Sequence, residues 1–122
     1  MSRTNSGKLV LDAKSAGSAV GAFNVILLEH AEALVAGAEL ARLPVILQIS
    51  ENCVNYHKGL KPISVATIAI AESASVPVSV HLDHAESEDL VLLLLVLHSL
   101  RDLDAPILAP LKILLSQLLL QK

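Results

Sequence analysis

Two histidines and an aspartate stand close together in the stretch VPVSVHLDHAESED, residues 76–89. We expect His81, Asp83 and His84 at the carboxyl end of a short strand, the edge where parallel α/β folds collect catalytic groups. Imidazole is a common zinc ligand, and a carboxylate can act as a general acid or base. Taken by itself, the His-x-Asp-His cluster is as compatible with an ordinary strand end as with a site of metal binding or proton transfer.

The residues around this cluster alternate between short apolar runs and helix-forming stretches. The predicted strands are Ala19–Val25, Val45–Ile49 and Val78–Leu82. The predicted helices are Leu9–Ala16, Leu27–Arg42, Pro62 to about Ser73, and one whose first turn holds Glu86, Glu88 and Asp89; a polar loop is predicted over Ser50–Leu60. Because the strands lack clean polar alternation, they resemble strands buried on both faces, and parallel β/α units are the natural interpretation.

Composition excludes several classes of protein. The 122 residues are 53% hydrophobic and 17% charged, which argues against intrinsic disorder. Aromatic residues make up 2% and the net charge is −3, so we expect no nucleic-acid binding. A single cysteine, Cys53, cannot form an intrachain disulfide, the N-terminus lacks a secretory signal, and no apolar run is long enough for a transmembrane segment. We therefore expect a cytoplasmic protein.

Leucine and glycine divide the chain near Leu90. Residues 1–89 contain 10 leucines, whereas the last 33 residues contain 15, and every glycine lies at or before Gly59. We predict two parts, an α/β part at 1–90 and a divergent, leucine-rich tail at 91–122. The tail has helix propensity but no clear amphipathic face. The tail is therefore predicted to be helical.

Three stretches in order resemble the class II, zinc-dependent fructose-bisphosphate and tagatose-bisphosphate aldolases. They are GAFNV at 21–25, LPVILQIS at 43–50, and the apolar-Pro-apolar-x-apolar-His-x-Asp-His-Ala pattern that ends at Ala85. The resemblance covers about residues 8–90. It implies the first three β/α units of a TIM (β/α)8 barrel, incomplete here because such a barrel needs about 250 residues.

The resemblance also implies roles for individual residues. His84 would be a zinc ligand, and Asp83 would be the acid/base at the C4 hydroxyl. Asn24 and Ser50 would hold the substrate, and His81 would orient its neighbours. The reaction implied is reversible cleavage of a phosphorylated ketose, fructose 1,6-bisphosphate or its tagatose epimer. The products are dihydroxyacetone phosphate and glyceraldehyde 3-phosphate.

The remaining histidines and the cysteine have simpler interpretations. We expect His30 on a helix surface and His57 solvated in the polar loop. His98 lies in the tail and matches nothing in the family pattern. Cys53 has no neighbouring motif that would activate it, so we expect an inert thiol.

The family pattern stops near residue 90. The second signature, Glu-x-Glu-apolar-Gly, and two later histidine ligands are absent from this sequence. We therefore expect an inactive, truncated gene product whose tail is read from a shifted frame or an unspliced segment. The alternative is a non-catalytic, aldolase-derived protein that forms a homo-oligomer or binds a partner through the tail. A third and weaker reading has residues 107–120 lie on a membrane surface. The sequence leaves fructose and tagatose bisphosphate undistinguished.

Overall fold

Three parallel strands form a sheet in the order in which they occur along the chain. A computed structural model describes residues 3–93. The strands are β1 (Gly21–Asn24), β2 (Val45–Ser50) and β3 (Val78–Asp83), with β2 in the centre. In the register of the sheet, Gly21 lies beside Val45 and Val45 lies beside Val78. The predicted α/β architecture with parallel strands is confirmed.

Within residues 3–87, four helices accompany the sheet. They are α1 (Ser6–Ser15), α2 (Leu28–Ala41), α3 (Glu51–Tyr56) and α4 (Leu60–Ser73). Helix α2 connects β1 to β2, and α3 and α4 connect β2 to β3. The chain is thus built from consecutive β/α units, in which a helix returns the chain to the start of the next parallel strand. No helix within residues 3–93 is long and apolar enough to cross a membrane.

The core lies between β2 and the helices that pack on it. Leu47 and Ile49 of β2 are almost completely buried, as is Val78 at the start of β3. Helix α2 contributes Ala31 and Val35, which are four residues apart and therefore share one helical face. Helix α4 buries residues at the same spacing: Ile63, Thr67 and Ala71. Burial of these apolar faces is what holds the helices against the sheet.

The predicted loop over Ser50–Leu60 is wrong, because it contains α3. The Ser50 hydroxyl accepts a hydrogen bond from the Cys53 backbone N–H at 3.2 Å and so caps the first turn of α3. Cys53 and Val54 are buried on its inner side. A local cap and two buried side chains therefore stabilise a helix that is too short to be recognised from periodicity.

Helix α1 lies against the amino end of β3. The Thr4 backbone N–H donates to the Val78 carbonyl at 2.9 Å, and the Ser6 and Ser79 hydroxyls are hydrogen-bonded at 2.5 Å. Leu9 is the buried residue of α1. These contacts leave the opposite, carboxyl edge of the sheet open for polar residues.

The chain divides into two compact units, Met1–Ser87 and Glu88–Lys122. Of the second unit the structure describes only residues 88–93, which are helical. The predicted acidic start of a helix falls at this point. The rest of the leucine-rich tail, including His98 and the stretch 107–120, lies outside the described residues, and its helical structure stays a prediction.

Candidate functional site

The four predicted site residues lie at one edge of the sheet. Asn24 ends β1, Ser50 ends β2, Asp83 ends β3, and His84 follows directly. Ser50 and Asp83 are paired across the β2–β3 ladder. Since all three strands are parallel, their carboxyl ends meet at the same edge, where a parallel sheet places its catalytic and binding groups.

Asp83 and His84 are close to each other but differ in exposure. Oδ2 of Asp83 lies 3.5 Å from Nε2 of His84, and the two side chains are 21% and 85% exposed. His84 has a φ of 48°, in the left-handed region that non-glycine residues seldom adopt. The mostly exposed imidazole can therefore reach a ligand, while the mostly buried carboxylate stays beside it.

Ser50 and Asn24 present polar groups on the neighbouring strands. The Ser50 hydroxyl accepts a hydrogen bond from α3, which leaves its own O–H free to donate, since a hydroxyl both donates and accepts. Asn24 is exposed, as is every residue of β1. Both side chains can therefore offer hydrogen bonds to a polar ligand at this edge.

His81 is exposed on β3, two residues before Asp83, and the two residues share a face of the strand. Its neighbour across the ladder is Gln48 of β2. The predicted role of His81 in orienting its neighbours stays a prediction.

A complete zinc site does not fit the described residues. A catalytic zinc ion usually has three protein ligands and one open position. Within residues 3–93, no three His, Cys, Asp or Glu side chains are grouped so that they could hold a metal ion. His84 can supply one donor, and the other donors are not found in this part of the chain.

Three residues that the sequence assigned to the surface or to an inert role converge on the backbone of Ile26. Nε2 of His57 lies 2.6 Å from the Ile26 carbonyl oxygen, and the Cys53 thiol lies 3.6 Å from it. Nδ1 of His30 accepts hydrogen bonds from the N–H groups of Ile26 and Leu27, both at 3.3 Å. The contacts of His57 and His30 were missed, since no local pattern indicates them.

Burial raises the pKa of the Cys53 thiol, because a low-dielectric environment disfavours the charged thiolate. The thiolate is the nucleophilic form of cysteine. This direction agrees with the expected inert thiol, although Cys53 lies in α3 and not in a loop.

Glu51 is a second residue that sequence reasoning missed. One of its carboxylate oxygens accepts hydrogen bonds from the backbone N–H groups of Glu86 and Ser87, at 2.6 and 3.0 Å. These amides lie 35 and 36 residues further along the chain, in the loop that follows Asp83 and His84. The side chain after Ser50 therefore fastens the loop that carries His84.

Comparisons with known proteins identify a family. The family model "Fructose-bisphosphate aldolase class-II" matches residues 4–99. A fructose-bisphosphate aldolase of Thermus caldophilus is 39% identical over 85 residues, which cover 70% of this chain and 27% of that protein. A 6-phospho-5-dehydro-2-deoxy-D-gluconate aldolase of Bacillus licheniformis is 38% identical over 84 residues, covering 67% of this chain and 29% of the relative.

A solved structure is similar as well. The YdjI aldolase of Escherichia coli K12 superposes with a TM-score of 0.66 and 27% identity, over 73% of this chain and 34% of that one. Of the two curated relatives, from Thermus caldophilus and Bacillus licheniformis, the chain spans less than a third of the length. The order of the strands, the polar edge and the family match lead to one conclusion: the chain belongs to the class II fructose-bisphosphate aldolase family.

Proposed function

We propose that this chain supplies the N-terminal part of the active site of a class II aldolase. The observation that carries the proposal is the register of the sheet, which pairs Ser50 with Asp83 and sets Asn24 at the same edge. Asp83 lies 3.5 Å from His84, so a carboxylate and an imidazole stand together where the strands end. Two hydrogen-bonding side chains, one carboxylate and one imidazole are suited to a polar, phosphorylated substrate.

The three β/α units are proposed to be the first units of a (β/α)8 barrel. Both the parallel order β1–β2–β3 and the exposure of every residue of β1 support this view. In a closed barrel β1 would be paired on both sides and covered by side chains of the interior. The leucine-rich tail at 91–122 takes no part in this proposal.

Asp83 is proposed to move a proton at the C4 hydroxyl of the ketose. In the cleavage direction its carboxylate accepts that proton while the C3–C4 bond breaks. The C4 oxygen becomes the carbonyl of the released aldehyde, and the electron pair of the broken bond stays on C3 of the ketone fragment. In the condensation direction the acid returns the proton to the same oxygen. General acid–base catalysis of this kind typically contributes about 10²- to 10⁴-fold to a rate.

Ser50 and Asn24 are proposed to orient the substrate. The Ser50 O–H can donate to a sugar or phosphate oxygen without giving up its bond to α3. The Asn24 amide can both donate and accept. Holding the substrate in the reactive geometry lowers the entropy cost of the reaction.

The metal requirement decides what the chain can do alone. In class II aldolases zinc acts as a Lewis acid on the ketone carbonyl. We propose that His84 contributes one ligand and that the 122-residue chain by itself does not catalyse aldol cleavage, because residues 3–93 lack a group of three donors. The proposed substrate class is a phosphorylated ketose, and the proposed location is the cytoplasm.

The proposal is tested by a graft and by the chain itself. Residues 8–90 replace the matching segment of the Thermus caldophilus aldolase, and cleavage of fructose 1,6-bisphosphate is followed by release of glyceraldehyde 3-phosphate. We expect an active graft in which Asp83→Asn lowers kcat by about 10²- to 10⁴-fold. The control Glu32→Gln changes an exposed residue of α2 and should leave kcat unchanged.

Two outcomes would contradict the proposal. One is an active graft in which Asp83→Asn has the kcat of the parent. The other is zinc-dependent turnover by the isolated 122-residue chain that Asp83→Ala abolishes, which would refute its inactivity while supporting the role of Asp83.

A further inference from the structure

We infer that the short helix α3, with His57 at its end, is a positioning element that fastens the two loops on either side of Ser50. One loop follows β1 and contains Ile26; the other follows β3 and carries His84. The inference rests on the proposed function, since those loops adjoin Asn24 and His84. It assigns Glu51 and His57 as positioning residues for the site.

The contact to the loop after β3 is made by a carboxylate. Glu51 accepts from the N–H groups of Glu86 at 2.6 Å and Ser87 at 3.0 Å. Hydrogen bonds to an ionised acceptor are about twice as strong as those between neutral groups. Two such bonds on consecutive amides fix both the position and the direction of the loop backbone.

That loop needs an external restraint because His84 has a φ of 48°. A non-glycine residue in the left-handed region is strained, and it persists only when its surroundings impose it. Glu51 binds the backbone two and three residues after His84. The restraint therefore acts at the distance along the chain where it can hold the turn and direct the imidazole.

The contact to the loop after β1 comes from the other end of α3. Nε2 of His57 lies 2.6 Å from the Ile26 carbonyl oxygen, and because a carbonyl only accepts, this nitrogen is the donor. The Cys53 S–H adds a weak bond to the same oxygen. The Tyr56 and His57 rings are nearly perpendicular, with ring centres 5.0 Å apart. From the side of α2, His30 accepts from the Ile26 N–H. Both polar groups of the Ile26 backbone are thus bound by side chains.

Helix α3 can act on both loops because it is itself fixed to β2. Its first turn is capped by Ser50, and Cys53 and Val54 are buried. Ser50, which is proposed to hold the substrate, therefore caps the helix that fastens the loops after β1 and β3. A displacement of α3 would move the ends of β1 and β3 relative to each other.

The test measures amide hydrogen exchange in the isotope-labelled, full 122-residue chain. Glu51→Ala should accelerate amide hydrogen exchange at Glu86 and Ser87 by about tenfold or more. It should also shift the NMR signals of the His84 imidazole in a proton–carbon spectrum. Glu51→Gln keeps one carbonyl acceptor and should restore part of the protection. The control Glu32→Ala changes an exposed residue of α2 and should alter neither readout.

A second variant tests the other contact. His57→Phe keeps an aromatic ring beside Tyr56 but removes the donor to Ile26, and it should shift the Ile26 carbonyl carbon signal while leaving Glu86 and Ser87 protected. The inference is overturned if Glu51→Ala leaves exchange at Glu86 and Ser87 unchanged. It is also overturned if exchange accelerates equally across the β2–β3 ladder, because Glu51 would then act on the whole fold. Neither readout depends on turnover, so the proposed function can fail separately.

Discussion

The middle of the sheet and its carboxyl edge differ in almost every physical property. Leu47 and Val78 have no exposed surface, whereas the side chains of Asp83 and His84 are 21% and 85% exposed. The middle gains its stability from buried apolar area, and the edge holds polar groups through hydrogen bonds to loops. In this chain, the residues that stabilise the fold and those proposed for chemistry are therefore neighbours on the same strands, but different interactions hold them.

Leu47→Ala, in the middle of the sheet, should have the largest effect on the free energy of unfolding. It removes a fully buried side chain from the central strand, and such a change typically costs about 2–5 kcal/mol because it combines lost transfer energy with a cavity. For a chain of this size that is a large part of the free energy of unfolding. Urea unfolding followed by circular dichroism measures the loss.

The matched control is Leu40→Ala on α2, where the side chain is 89% exposed. The same chemical change should alter the free energy of unfolding by less than about 0.5 kcal/mol. Equal destabilisation by both variants would mean that burial in the sheet does not decide stability here.

Ser50→Ala should affect both the proposed site and the stability of the fold, because the Ser50 hydroxyl has a role in each. Its hydroxyl is proposed to meet the substrate and also caps α3. Loss of such a cap costs about 1 kcal/mol. Ser50→Thr keeps a hydroxyl and should recover most of that stability in the same urea experiment, whereas a Ser50→Ala variant as stable as the parent would show that the cap contributes nothing.

Thr67→Val, a substitution in the core, should raise the free energy of unfolding. The Thr67 hydroxyl is buried on α4 and has no hydrogen-bond partner among the described residues. An unpaired buried polar group costs about 1 kcal/mol, so replacing it with a methyl group should raise the free energy of unfolding by that order. The comparison variant Val65→Thr makes the reverse change at an exposed position of α4 and should have a smaller effect. A less stable Thr67→Val chain would mean that the hydroxyl has a favourable contact.

The elements with strong local signals were predictable from the sequence. The three strands and helices α2 and α4 exist close to their predicted bounds, since β-branched runs, helix-forming stretches and Pro44 or Pro62 mark them. Helix α3 was not predictable, because six polar and mixed residues carry no usable periodicity. Its stability comes from a cap and from burial that appear only in the folded chain.

The same reasoning explains which part of the site could be found. Asp83 was predicted at the carboxyl end of a strand from the local pattern, whereas Asn24 and Ser50 were implied only by the resemblance to the aldolases. The register brings the ends of their three parallel strands together. Glu51 and His57 act on backbone groups 35 and 31 residues away, and no short motif records such a contact. Long-range contacts to backbone atoms are independent of the partner's side chain, so they leave no paired pattern in one sequence.

Glu39→Gln should have the smallest effect, and it extends the contrast to a polar contact far from the site. The surface carboxylate of Glu39 accepts hydrogen bonds from the Ser75 backbone N–H at 2.6 Å and from the Ser75 hydroxyl at 3.0 Å. The backbone bond contributes most, and together the two bonds hold the pKa of Glu39 below its ordinary value of 4.5. Because the folded pKa is the lower one, the stabilisation is present above the unfolded value and is lost as pH falls through the folded pKa. The parent should therefore exceed Glu39→Gln in urea midpoint at pH 7, and the gap should close in acid. Ser75→Ala keeps the backbone bond and should retain part of the gap, whereas a gap independent of pH would show that the charge of Glu39 is not what stabilises this contact.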